Sequence, residues 1–186
     1  MKSYARLLAP LVLALALPFA AQAAEYTVQP SSSKLGFTGT FQGATFDGSF
    51  NKWNAAITYD AANVAASRFD VTVDLASVKT GDSDRDGALP GADFFNVAKF
   101  PQAHFVTTAF RQSGSQVIAD GHLTLRGVTK PVSLNVTFKP AGSGATLDVS
   151  GSVKRLDFGV GTGDYADTSV IGADVKINAH LTLTAK

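Results

Sequence analysis

From Lys34 onward, apolar side chains recur at every second residue in one segment after another, and no segment carries the spacing of a three-turn amphipathic helix. In Arg68–Val78, for example, Phe69, Val71, Val73 and Leu75 alternate with Arg68, Asp70, Thr72 and Asp74. A period of two puts one face of a segment on a core and the other in water, the pattern of antiparallel β-structure. Candidate strands are Lys34–Thr40, Thr45–Asn51, Ala55–Tyr59, Arg68–Val78, His104–Arg111, Val117–Leu125, Val132–Lys139, Ala145–Val153 and Asp174–Thr184. They are rich in Val, Thr and Phe. Turn chemistry separates them at Gln42-Gly43, Asp60–Ala62, Ser113-Gly114, Gly127–Lys130 and Gly142–Gly144. Many short, regularly spaced strands build a sandwich or a closed barrel. A barrel of about eight antiparallel strands leaves room inside for one small ligand. The expected fold is therefore all-β.

The alternation stops between Thr80 and Pro101. A long irregular connection inside a compact domain is uncommon and usually functional. This one carries Leu89, Phe94, Phe95 and Phe100, so it must fold back onto something apolar as a lid. A short helical turn is expected at Asp93–Ala98, with Asp93 as N-cap. The inward-facing sets are Leu35/Phe37, Phe46/Gly48/Phe50, Phe69/Val71/Val73, Leu123/Leu125, Val132/Leu134/Val136/Phe138 and Val175/Ile177/Ala179/Leu181/Leu183. Phe105 and Phe110 differ in parity, which predicts a bulge between them. The phenylalanines cluster between Phe37 and Phe69 and again between Phe94 and Phe105. Periodicity alone leaves open whether they line a container or fill a core.

The first residues read as a secretory signal peptide over 1–23, with the barrel domain over 24–186. Lys2 and Arg6 precede the apolar run Leu7–Ala16, Pro18 ends it, and Ala21-Gln22-Ala23 is a small-x-small cleavage site. The run is too short to span a bilayer. The chain has no cysteine, so it has neither disulfides nor a lipid-attachment site, and the expected compartment is the bacterial periplasm. Without Lys2 and Arg6, 14 basic residues face 15 acidic ones. That balance gives no attraction to nucleic acid, and no later segment is apolar enough for a membrane anchor.

The stretch TGDSDRDGALPGADFFNVAKFPQAHF, Thr80–Phe105, resembles the signature of the YceI-like family of bacterial polyisoprenoid-binding proteins. Ala65–Gly81, ADGHLTLRGVTKPVSLNV (Ala119–Val136) and VKRLDFGVG (Val153–Gly161) resemble further blocks of that family, in the same order. The resemblance implies a lipocalin-like antiparallel barrel with a long apolar cavity, secreted or periplasmic. It implies binding of a long isoprenoid lipid, such as a polyprenyl phosphate or a ubiquinone tail, and neither catalysis nor a cofactor. The chain departs from the family near its first strand. Ser31, Ser32 and Ser33 stand where many members have a His-Ser pair, so no contact of that His is carried over.

The residues expected to hold such a tail are Phe37, Phe46, Phe50, Trp53, Phe69, Val71, Phe105, Leu123 and Leu125 along the barrel. Leu89, Phe94, Phe95 and Phe100 are expected in the lid, and Phe158 in the late loop. Arg85, Arg126, Lys130 and Arg155 are candidates for a phosphate head group, since guanidinium suits bidentate contact; the other reading of each is a solvated surface cation. Three rival readings remain. Asp82, Asp84, Asp86, Gly87 and Asp93 fall at positions 1, 3, 5, 6 and 12 of a calcium loop. Against it stand Pro90, the short Asp at the last position and the lack of flanking helices. An enzyme would have to use His104, His122 or His180, none of which sits in a metal or nucleophile motif. A partner-binding domain with a solid core would have no cavity. Exposed strand edges and an apolar mouth would suit a homodimer.

Overall fold

The computed structural model describes residues 23–186, so the segment expected to be a signal peptide, Ala23 apart, lies outside the described residues. The strands are β1 (Ala24–Val28), β2 (Lys34–Phe41), β3 (Ala44–Phe50), β4 (Trp53–Tyr59), β5 (Arg68–Asp74), β6 (Val78–Lys79), β7 (Gln102–Ser113), β8 (Gln116–Leu125), β9 (Val128–Ala141), β10 (Gly144–Lys154) and β11 (Asp174–Ala185). The helix α1 spans Ser83–Ala88. All pairings between named strands are antiparallel.

The eleven strands make eight staves. β1 and β2 share one edge of β11, β1 through Val28↔Leu183 and β2 through Phe37↔Ile177. They act as one stave interrupted at Gln29–Ser33. In the same way β4 pairs with β1 and β3 with β2, so β3 and β4 continue each other across Asn51-Lys52. β5 and β6 continue each other across Leu75–Ser77. Each stave bonds its neighbours in sequence, and β1 against β11 closes the ring. The chain thus forms the expected up-and-down barrel, which has no free sheet edge to protect around most of its circumference.

The breaks are held in place by specific bonds. The N–H of Asn51 donates to the Ser77 carbonyl at 3.2 Å, and that of Lys52 to Ser77 Oγ at 3.0 Å. Asp74 accepts from the Ala76 N–H, turning the chain where an unbroken Arg68–Val78 strand is expected from the alternation. The expected bulge is present, with the β7–β8 register shifting between Thr107 and Ala109. There Thr107 Oγ1 accepts from the Phe69 N–H at 2.9 Å, standing in for the ladder.

One end of the barrel is solid. Tyr59 stacks on Phe138 at 4.2 Å between ring centroids, Phe69 meets Phe110 edge-on at 4.8 Å, and Tyr26 meets Phe138 at 5.4 Å. Leu147 and Ala119 beside them have no exposed surface. Burial pushes the Tyr59 phenol above its ordinary pKa. The turns after β4, β7 and β9 lie at this end. The turn after β3's partner β2, the lid, the Arg126-Gly127 turn and the loop 155–173 lie at the other.

The lid holds its helix earlier than expected. Residues Asp93–Ala98 form turns, whereas Ser83–Ala88 is helical, with Asp82 as the cap. Asp82 accepts from the N–H groups of Asp84 and Arg85 at 3.1 and 2.9 Å. Asp84 and Asp86 then sit in the first turn, where the positive end of the helix dipole favours them. Among the described residues no helix is long and apolar enough to cross a membrane.

Candidate functional site

The other end of the barrel is hollow. A cavity of about 800 Å³ runs into it from the lid end. The period-two alternation supplies its walls. On β2 and β3, Leu35, Phe37, Phe46 and Phe50 point in, and two glycines make room for the rings. Phe46 faces Gly39 across the ladder, and a Cβ on Gly39 would come within 2.8 Å of that ring; Phe37 likewise lies over Gly48. On the opposite wall stand Phe105, Leu123 and Leu125, and between them Trp53, Phe69 and Val71. From the lid, Leu89, Phe94 and Phe95 cover the space.

Two expected residues stand elsewhere. Phe100 packs over Gly127 on the outside, with the Lys99 ammonium 5.2 Å from its ring centroid, and does not line the cavity. Phe158 is 2% exposed and belongs to the core behind the cavity. Its 3₁₀ turn at Arg155–Phe158 points the ring inward to packed side chains rather than to the hollow. The alternation also left out part of the lining. Phe41 ends β2 outside its inward set, and Tyr165, Val170 and Ile171 come from a loop with no periodicity to reveal them; Leu75, on the alternating parity, lines the space from the strand break.

The proposed phosphate contacts are corrected by their partners. Arg155 is 4% exposed and donates only to backbone carbonyls: Nε to Gly172 at 3.1 Å, Nη1 to Val160 at 3.0 Å and to Gly161, and Nη2 to Tyr165 and Ile171 at 2.8 and 2.9 Å. That employs all five guanidinium N–H groups. Burial holds its pKa below the ordinary arginine value. Arg126 takes a left-handed backbone with φ 51° in a tight turn with Gly127. Its Nη1 donates to Asp93, Phe94 and Gly159 carbonyls at 2.9, 2.7 and 2.6 Å. Both arginines therefore staple the lid and the late loop to the barrel, helped by the Gly161 N–H donating to Asp93 at 2.7 Å. Lys130 is exposed on β9 and does not line the cavity.

The mouth lies where Phe41, Tyr165 and Val170 are 39%, 42% and 40% exposed. Asp82, Asp84, Asp164 and Asp167 surround it with Arg85. Arg85 is already engaged, 3.5 Å from Asp82 and 4.4 Å above the Phe46 ring centroid. The Ser169 hydroxyl on Asp167 holds that carboxyl below the usual carboxylate range.

The calcium-loop pattern folds as a helix start. Asp82 caps α1, while Asp86 accepts from the Thr80 N–H and hydroxyl at 2.6 and 2.8 Å. Their carboxylates serve separate backbone segments instead of converging, and no group of three metal-ligating side chains occurs among the described residues. The histidines stand on the outer surface: His104 is 2.7 Å from Asp70, His180 is 2.6 Å from Asp148, and His122 is exposed. None lines the cavity.

Similar proteins share this build. Protein YceI of Salmonella arizonae is 37% identical over 121 residues, an alignment covering 62% of this chain and 63% of that protein, so the chain spans about 63% of the length of the curated relative. The crystal structure of Burkholderia cenocepacia BcnA superposes with a TM-score of 0.81 at 32% identity, covering 84% of this chain and 99% of that one. A polyisoprenoid binding domain from Saccharophagus degradans shares the fold with a TM-score of 0.65 at 17% identity, over 89% of this chain and 100% of that one. A family model for the YceI-like domain matches residues 26–183, and the chain belongs to that family.

Proposed function

We propose that the protein is a periplasmic carrier that holds the apolar tail of an isoprenoid lipid in its barrel and does no covalent chemistry on it. The observation that carries this reading is the cavity of about 800 Å³, walled by Phe, Val and Leu and open at a lid. Ligand sites run to about 300–1,000 Å³ and are mostly apolar with few polar groups, which describes this one. An isoprenoid tail is apolar along its whole length. Each buried methylene-sized group contributes about 0.8 kcal/mol, from which the cost of ordering tail and lid is subtracted. A tail of several units can therefore be held with few polar contacts. The domain from Saccharophagus degradans, with the same fold, is described as polyisoprenoid-binding, which supports the ligand class. Among the described residues no histidine lines the hollow, and the buried Arg155 that borders it is engaged by backbone carbonyls, which supports a binding role.

The test is native mass spectrometry of the protein expressed with its own leader and purified from the periplasm without detergent, followed by solvent extraction. The expected result is a stoichiometric adduct that extracts as a polyprenyl species or a quinone. A protein that stays in the cytoplasmic fraction contradicts the compartment. A bare periplasmic protein that also refuses added isoprenoids contradicts the carrier.

A further inference from the structure

The barrel wall has a gap. The ladder between β1 and β4 ends at Tyr26↔Ile57, and that between β2 and β3 begins at Gly36↔Ser49. Between them, residues 27–35 and 50–56 face each other without pairing, because both staves are interrupted at the same level. A groove of about 470 Å³ fills this gap. Its lining includes both parities of each strand: Tyr26 and Val28 from the inner face with Thr27 from the outer, and Trp53 and Ala55 from the inner with Asn54 and Ala56 from the outer. Successive strand residues point to opposite faces, so a space lined by both spans the thickness of the wall. Phe50, Trp53 and Ala55 line this groove and the main cavity alike. The groove is thus a side window that has those three side chains in common with the hollow.

The two openings differ in chemistry. Asp82, Asp84, Asp164 and Asp167 surround the mouth, and its one outer cation, Arg85, is engaged by Asp82 and the Phe46 ring. The window has no acidic residue in its lining. It has Lys34, which forms no ion pair among the described residues, and Lys186, 3.1 Å from Glu25. Ser33, Ser49, Asn51 and Asn54 add hydrogen-bonding groups. An anionic head is repelled by the first setting and stabilised by the second.

We propose that the window at Lys34 binds the phosphate head of a tailed lipid, with the tail entering the barrel past Phe50 and Trp53. This rests on the carrier reading above and adds where the head lies and what charge it bears. Trp53 is the single tryptophan of the chain and stands in both spaces, so its emission reports on occupancy.

The test titrates geranylgeranyl phosphate and geranylgeraniol into delipidated protein while following Trp53 emission. The wild type is expected to prefer the phosphate by about tenfold, the size of one charge-assisted contact. In Lys34→Glu the preference should fall to about one, and in the milder Lys34→Gln to about threefold. Inorganic phosphate alone is expected to leave the emission unmoved. A preference that survives both Lys34 variants overturns the window site. So does a preference that responds to charge reversal in Asp164→Lys/Asp167→Lys and not at Lys34, which would put the head at the mouth. A full emission change with inorganic phosphate would make the groove a phosphate site independent of lipid and overturn the proposal. If neither isoprenoid binds the wild type, the carrier reading itself fails and takes this site with it.

Discussion

The two ends of the barrel are made by the same eight staves and the same alternation, yet one end is packed and the other is hollow. At the packed end the inward positions carry Tyr26, Tyr59, Phe69, Phe110 and Phe138, whose rings interlock across the barrel axis. At the hollow end the large rings lie flat against their own wall. Phe37 and Phe46 cover the glycines facing them, and Phe50 leans on Phe37 at 5.6 Å. A ring that lies over a glycine covers the sheet and leaves the axis empty. The distinction between core and container is thus decided by which residue faces each aromatic, not by the number of aromatics. Stability should concentrate at the packed end and binding at the other.

Truncation at both ends tests this directly and carries the largest effect. Phe110→Ala removes a 5%-exposed ring from the plug and is expected to cost about 3–5 kcal/mol in urea unfolding, the range for aromatic-to-alanine changes in cores. Phe46→Ala, at the half-buried cavity wall, is expected to cost less than about 1 kcal/mol while weakening geranylgeraniol binding. Equal losses of stability at the two sites would erase the contrast between them.

Next comes the staple that holds the hollow end shut. Arg155→Ala leaves five backbone carbonyls without their donor and is expected to cost about 2–4 kcal/mol, below the sum of five orphaned groups at about 1–3 each because the opened loop lets water reach most of them. Arg155→Lys should recover only part, because an ammonium has three donors and no planar fork. The rate of tail release, followed by Trp53 emission, should rise in both. An unchanged release rate in Arg155→Ala would show that the loop 155–173 does not help to retain the tail.

The smallest effect sharpens the same contrast by pH. The hydroxyl and N–H of Thr80 hold the Asp86 carboxyl below the usual carboxylate range, with help from Lys79 at 3.6 Å. A carboxyl whose folded pKa lies below its unfolded value stabilises fully above the unfolded value of about 3.9. The contribution is lost as pH falls through that value toward the folded one. Hydrogen-exchange protection of residues 80–89, corrected for intrinsic rates, should therefore drop between pH 6 and 3 while the plug stays protected. Asp86→Asn should start low and not change further. Parallel losses in the lid and the plug would mean that acid loosens the barrel as a whole.

Much of this architecture is legible in the alternation. The staves, the inward sets and the bulge before Phe110 follow from parity, because one face of each strand is buried and a one-residue slip would turn the set outward. What escaped depends on contacts between distant segments. The lid helix begins after its cap Asp82, in an acidic run ending in glycine that also matches the start of a metal loop; the Asp82 cap and the Thr80–Asp86 contact show which it forms. The break at Asn51-Lys52 falls between two expected strands, Thr45–Asn51 and Ala55–Tyr59, whereas that at Leu75–Ser77 sits inside good strand sequence and becomes visible only when the two segments bond each other. Arg126 and Arg155 look like surface cations, because the carbonyls they bind come from loops with no local signature. Phe100 and Phe158 fell outside the cavity for a related reason: apolar character says that a loop residue is covered, not by what.

The closing pair of staves joins the two extremes of the described chain. The Lys186 ammonium reaches Glu25 across 161 residues, whereas every other neighbouring pair of staves is consecutive along the chain. The local hairpins can form as soon as each is available, but the ring cannot shut until its final stave has been synthesised. Until then the aromatic interior is open along one seam. Folding and emptiness are therefore coupled in time: a barrel that zips last between its two terminal strands can surround an oily guest during assembly rather than having to admit it afterwards.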